Sequence, residues 1–189
     1  MSFARYGTRL AGFAVLYLLA LFVGSAAGGV VWPAAAVGAI WLVAQAGYGP
    51  RRFDVLAMMV LSALVPMNDD LLAGVAQAVP QVVPAVLFAW LLDRWLPGYW
   101  RGHGDRFRRR ETTLARLAGA AASAAAAGAV LQSVALIADL DAAAAGYALV
   151  RDTVTVFAGV MLTRLLNQRF GKRPSARQPS AKPRLTVVR

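Results

Sequence analysis

Six apolar stretches, separated by short polar or charged segments, run along the chain. They cover 10–23 with an uncharged extension at 24–29, then 30–47, 53–67, 71–92, 113–138 and 142–166. A helix rises 1.5 Å per residue, so about 20 residues cross the hydrocarbon of a bilayer, with a range of roughly 17–25. The first, second, fourth, fifth and sixth stretches meet that length. The third is short, because its clean apolar run stops at Pro66. The pattern predicts an all-α, polytopic membrane helical bundle with six transmembrane helices. Arg5 and Arg9 precede the first stretch as they would in a signal peptide, but another span follows it rather than a polar mature domain, so it reads as a retained helix.

Composition supports this and excludes an ordinary soluble domain. Of 189 residues, 59% are hydrophobic and 15% charged, with a mean hydropathy of +0.55. Soluble domains are about 45–50% apolar and about 25% charged. The net charge of +11 fits either a nucleic-acid binder or a membrane protein with cationic cytoplasmic loops, and position decides between them. Nineteen of the 20 cations lie before stretch one, between two and three, between four and five or at the start of five, or at and beyond the end of six. Asn68, Asp69, Asp70, Asp139 and Asp141 fall in the alternate loops. Cations in short loops stay cytoplasmic, so both termini are expected inside. A re-entrant third stretch would place the arginines of 101–110 outside, so that stretch is expected to cross fully, bent or tilted.

The run of arginines at 106–110 lies between two spans, with no folded nucleic-acid module beside it. Its expected partner is the lipid bilayer, through anionic headgroups at about 1 kcal/mol per cation, and no nucleic acid. Trp90, Trp95, Tyr99 and Trp100 at the same end of stretch four read as an interfacial aromatic belt. Residues 1–169 form the expected membrane domain. Residues 170–189 are basic, rich in Pro and Ser, and expected to be a disordered cytoplasmic tail.

With no Cys and one His, His103, thiol chemistry and a metal centre have no basis. No nucleotide, hydrolase, zinc-protease or calcium motif occurs, so neither an enzyme nor a cofactor is expected.

Polar groups inside the spans carry the functional signal. Arg151, the cation outside the cytoplasmic set, is followed by Asp152 and lies nine residues past Ala142, about 14 Å into the stretch. Charges at membrane depth cost about 2.5–3.5 kcal/mol on insertion scales and face the bundle interior. The pair reads either as a ligand, ion or switch site, or as charges satisfied by other helices. Neighbours on a helix sit about 100° apart, so the two need not pair with each other. Gln77, Gln81 and Pro84 share a face of stretch four, and Pro80 and Pro84 each free a carbonyl that must face protein, water or ligand. That face is either a cavity lining or a packed kink. The small residues of 118–129 predict a tightly packed central helix, with Gln132 and Ser133 as further polar partners. Asp54, Asp93 and Asp105 are expected to neutralise arginines.

Trp32-Pro33-Ala34-Ala35-Ala36-Val37-Gly38-Ala39 resembles the W-P-x-A-G-h-A opening of a span in the first type of bacterial membrane-associated sensor domain. The run from Ala85 to Leu92 is similar to that family's A-L-L-x-A-W-L-L ending, and Asp152 matches the Asp of its W-x-x-G-D stretch. Ala148 and Arg151 replace the Trp and Gly of that stretch, and Gln81 and Pro84 replace its Asn and Glu in helix four. The likeness spans about 10–166 and carries over at Trp32, Pro33, Trp90 and Asp152. It implies a multi-pass protein of the bacterial plasma membrane. The implied role is a sensor-like input protein without its own output domain, binding a small ligand or a partner such as a separate signalling protein. Six helices with cytoplasmic termini also resemble the substrate-binding subunits of energy-coupling-factor transporters, whose partner is a transporter subunit. A structural membrane subunit is a third alternative. Neighbouring kinase or cyclase genes would favour sensing, and transporter ATPase genes uptake.

Overall fold

A computed structural model describes residues 3–28, 30, 32–46, 50–65, 71–101, 110–136 and 142–170. The acidic loop at 68–70, Asp139 and Asp141, His103, the arginines at 106–109 and the tail at 171–189 lie outside the described residues. The described chain is all-helical: α1 Phe3–Ala26, α2 Pro33–Ala44, α3 Arg51–Leu64, α4 Leu71–Trp95, α5 Arg110–Leu136 and α6 Ala142–Phe170, with a 3₁₀ turn at Tyr99–Arg101.

Local chemistry sets the boundaries. Pro33 opens α2 with its fixed φ and without needing a backbone donor. Pro50 precedes α3 in an extended conformation, with the φ near −70° that its ring fixes. Glu111 sits in the first turn of α5 and Arg94 in the last turn of α4, each on the favourable end of its helix dipole. Thr153, Thr155 and Thr163 turn their hydroxyls back onto carbonyls one turn earlier at 2.7–2.8 Å, which satisfies them within an apolar helix.

Among the described residues, three helices are long and apolar enough to cross a membrane: Ala4–Ala26, Gly74–Trp95 and Arg110–Val134. The helix in the second stretch is shorter than the stretch itself. It has 12 residues, about 18 Å. α3 has 14 residues, about 21 Å, and α6 has 29 but carries Arg151 and Asp152 in its N-terminal half.

The central helix is α2, and not α5 as the small-residue run suggested. α2 packs against α1, α3, α4 and α6, whereas the main contacts of α5 are with α4 and α6. Ala34, Ala36, Gly38, Ala39, Trp41, Leu42, Val43 and Ala44 of α2 are buried. Ala122, Ser123, Val130 and Val134 of α5 face outward. Small residues do let α5 approach α4, but on one face only. A Cβ on Gly128 would stand 2.7 Å from Cγ of Pro84.

Around α2 the outer helices turn apolar side chains outward. Val15, Leu19 and Phe22 on α1, and Phe53, Leu56, Val60 and Leu64 on α3, are about half exposed along one stripe of each helix. Spacing by three and four residues puts each stripe on a single face. In water such patches would mark a binding surface, and against lipid they are ordinary. Trp90 and Trp95 also point outward, as a belt requires. Tyr99 does not: it is buried beneath Arg164, whose guanidinium lies 3.7 Å from the ring centre.

Candidate functional site

Because α5 stands off from α2, a cavity remains between them, with α4 and α6 as side walls. Its volume is about 340 Å³, within the usual range for small-molecule sites, roughly 300–1,000 Å³. Gln77 and Gln81 of α4, Gln132 of α5, and Arg151 and Asp152 of α6 all line it. These five side chains come from three helices and are up to 75 positions apart in sequence. Pro80 and Pro84 share the α4 wall, with Gly128 of α5 packed against Pro84 beside them.

The lining changes character with depth. Gln77 and Gln132 are exposed at the rim. Arg151, Asp152 and Gln81 lie partly buried below them. Ala39, Ala85, Phe88 and Ala124 are buried at the floor. The rim therefore lies at the N-terminal ends of α2, α4 and α6 and the C-terminal end of α5. The loops at that end carry Asn68, Asp69, Asp70, Asp139 and Asp141 and no cation.

Arg151 and Asp152 pair with each other, Nε donating to Oδ1 at 2.8 Å, although neighbours on a helix diverge in direction. The length of the arginine side chain closes that angle. The guanidinium also lies 5.8 Å from the ring centre of Trp32, within cation–π range. Trp32 is held from behind: a Cβ on Gly24 would meet its ring at 2.8 Å, so α1 supplies a flat seat there. At the rim, the Tyr147 hydroxyl donates to the carbonyl of Val30 at 3.2 Å and ties α6 to the segment before α2. Gln81 Oε1 is shielded from solvent and accepts no hydrogen bond.

Of the residues carried by the family likeness, Trp32 and Asp152 line the cavity, while Trp90 faces outward from α4. Pro33 starts α2 and is not among the lining residues.

A second polar group lies at the opposite end of the bundle. Asp54, fully buried, accepts hydrogen bonds from Trp41 Nε1 at 3.1 Å and the Tyr6 hydroxyl at 3.2 Å. It therefore joins α1, α2 and α3, and it also feels the positive charge of Arg51. Arg51, one turn away, pairs with Asp93 of α4. Gln45, at the end of α2, is also fully buried. Sequence reading missed this group because its members are 13 and 48 residues apart. The available signal was that Asp54 and Trp41 are polar-bearing residues inside apolar runs.

No family model, curated protein or solved structure matches this chain.

Proposed function

We propose that the chain is a multi-pass membrane protein of the sensor or input type, which takes a small molecule into the cavity between α2, α4, α5 and α6. The observation that carries this reading is convergence. A charged pair and three amides, drawn from three helices, meet at one cavity of about 340 Å³. Charge and amide groups at membrane depth are costly to keep there, and concave sites with a few convergent polar groups are the usual form of small-molecule sites. Trp32, of the Trp-Pro opening that resembles the bacterial membrane-associated sensor domain, is one wall of the cavity.

In this reading the chain crosses the bacterial plasma membrane six times with both termini cytoplasmic. Support comes from the cation distribution and from the three long apolar helices. The short α2 crosses because protein surrounds it, so its ends need not reach headgroups by themselves. The rim then faces the exterior, and ligand arrives from outside the cell. The cytoplasmic arginines rest on anionic headgroups and are available to a signalling partner.

The test is mass spectrometry of small molecules retained by the intact protein in mild detergent, for wild type, Arg151→Ala and Asp152→Asn. Retention by wild type and loss in either variant supports the site. Equal retention and equal thermal stability in all three sinks it. Because the chain has no Cys, a single cysteine at Asn68 reports topology cleanly. Labelling from outside only is expected, and labelling from the cytoplasm breaks the six-span arrangement.

A further inference from the structure

The cavity's chemistry narrows its ligand. We infer that it accepts a neutral molecule with an apolar ring and an edge of N–H and C=O groups, such as a carboxamide or a lactam heterocycle, rather than an anion, a cation or a plain hydrocarbon. This rests on the cavity reading above and goes beyond it by naming the ligand class.

Three observations combine. First, the charges in the lining cancel. Arg151 and Asp152 are bonded to each other at 2.8 Å, and Trp32 holds the guanidinium from the other side. A net-charged ligand would have to shed its water without gaining an unmatched counter-charge, and burying an ion on those terms is costly. A neutral ligand leaves the pair intact and meets it as a fixed dipole.

Second, one lining acceptor is unmet. Gln81 Oε1 is shielded and accepts nothing. An unmet buried acceptor is costly, and a turn of the Gln81 amide toward the cavity would let a neutral N–H or O–H supplied by a ligand meet it. Carboxylates and hydrocarbons have no such donor to offer. The rim amides of Gln77 and Gln132 present both donors and acceptors, which suits a ligand edge carrying both.

Third, the floor is apolar and made mostly of small residues. Phe88 and Ala39 are fully buried there, with Ala85 and Ala124 beside them. Alanine side chains leave a smooth surface suited to a flat ring. A volume of about 340 Å³ is near the lower end for ligand sites, which suits a bicyclic ring.

The experiment uses four probes of one shape: 2-naphthamide, 2-naphthoate, 2-naphthamidine and 2-methylnaphthalene. Each is titrated against the full-length protein in detergent, and apparent affinity is read from the shift in melting temperature with concentration. The amide should bind on the order of tenfold more tightly than any of the other three, and Gln81→Leu should remove about tenfold from the amide alone. A Gln81→Glu variant, which keeps the acceptor, serves if the leucine variant fails to fold, and it should retain amide binding. Preference for the naphthoate or the amidinium overturns the neutral class and leaves the cavity reading standing. Equal binding of the hydrocarbon, or an unchanged amide affinity in Gln81→Leu, also overturns it. If no probe shifts the melting temperature at millimolar concentration, the cavity reading falls with it.

Discussion

The contact between α2 and α6 offers a matched pair of substitutions on one helix. Gly159 of α6 faces Ala36 of α2, and a Cβ built on Gly159 would stand 2.8 Å from Ala36 Cβ. Ordinary carbon–carbon contact is about 3.5–4.0 Å, so Gly159→Ala must part the helices by roughly 0.7–1.2 Å. Ala36 Cβ cannot swing aside as the end of a long side chain could. Overpacking of this kind costs about 1–3 kcal/mol, offset by at most about 1 kcal/mol of helix propensity. Gly146, on the same helix, has nothing within 4 Å of its added Cβ. Gly146→Ala should therefore stabilise by up to about 1 kcal/mol. The two variants, unfolded by denaturant in the same mixed micelles, should differ by about 1–3 kcal/mol, with Gly159→Ala the weaker. If Gly159→Ala matches Gly146→Ala, the close α2–α6 approach is not present in the folded protein.

Other substitutions probe the polar groups. Asp54→Ala strands Trp41 Nε1, which is fully buried, and should cost about 2–4 kcal/mol. Asp54→Asn keeps an acceptor and should cost about 1 kcal/mol, and equal losses on denaturation would refute the acceptor role. Arg151→Ala leaves Asp152 without its bonded neighbour and should cost about 2–4 kcal/mol, with most of that regained in the Arg151→Met, Asp152→Leu double variant. A double variant no more stable than the single one would show that the pair is not satisfied internally. The buried hydroxyl pair of Tyr17 and Ser62, 2.9 Å apart, should give a coupling of about 1 kcal/mol in a cycle of Tyr17→Phe and Ser62→Ala. A coupling near zero removes that contact.

Helix positions were legible because apolar runs bounded by Pro, Gly and charge set them. The depth of α2 was not. Lipid and protein are equally apolar surroundings, so an apolar helix carries no mark of which it faces, and α2 and α5 read alike until their neighbours are known. The shared face of Gln77, Gln81 and Pro84 follows from helical spacing. That Gln132 and Arg151 meet the same cavity depends on how α5 and α6 dock, which no local pattern encodes. Asp54 was only partly legible for the same reason: its hydrogen-bond partners come from α1 and α2, while the Arg51 guanidinium beside it bonds to Asp93.

The place of α2 bears on how the molecule is made. α2 leaves the ribosome early, yet one of its principal walls, α6, is synthesised after the other five helices. Until then this 12-residue helix, too short to cross a bilayer unaided, leans on α1, α3 and α4 with its Ala36 side uncovered. Loss of α6 would therefore strand a half-housed helix early in the bundle rather than trim an appendage. Membrane quality-control proteases should meet such truncated chains as unfinished, and no truncated chain lacking Arg151 and Asp152 would have a complete cavity in which ligand could rescue it.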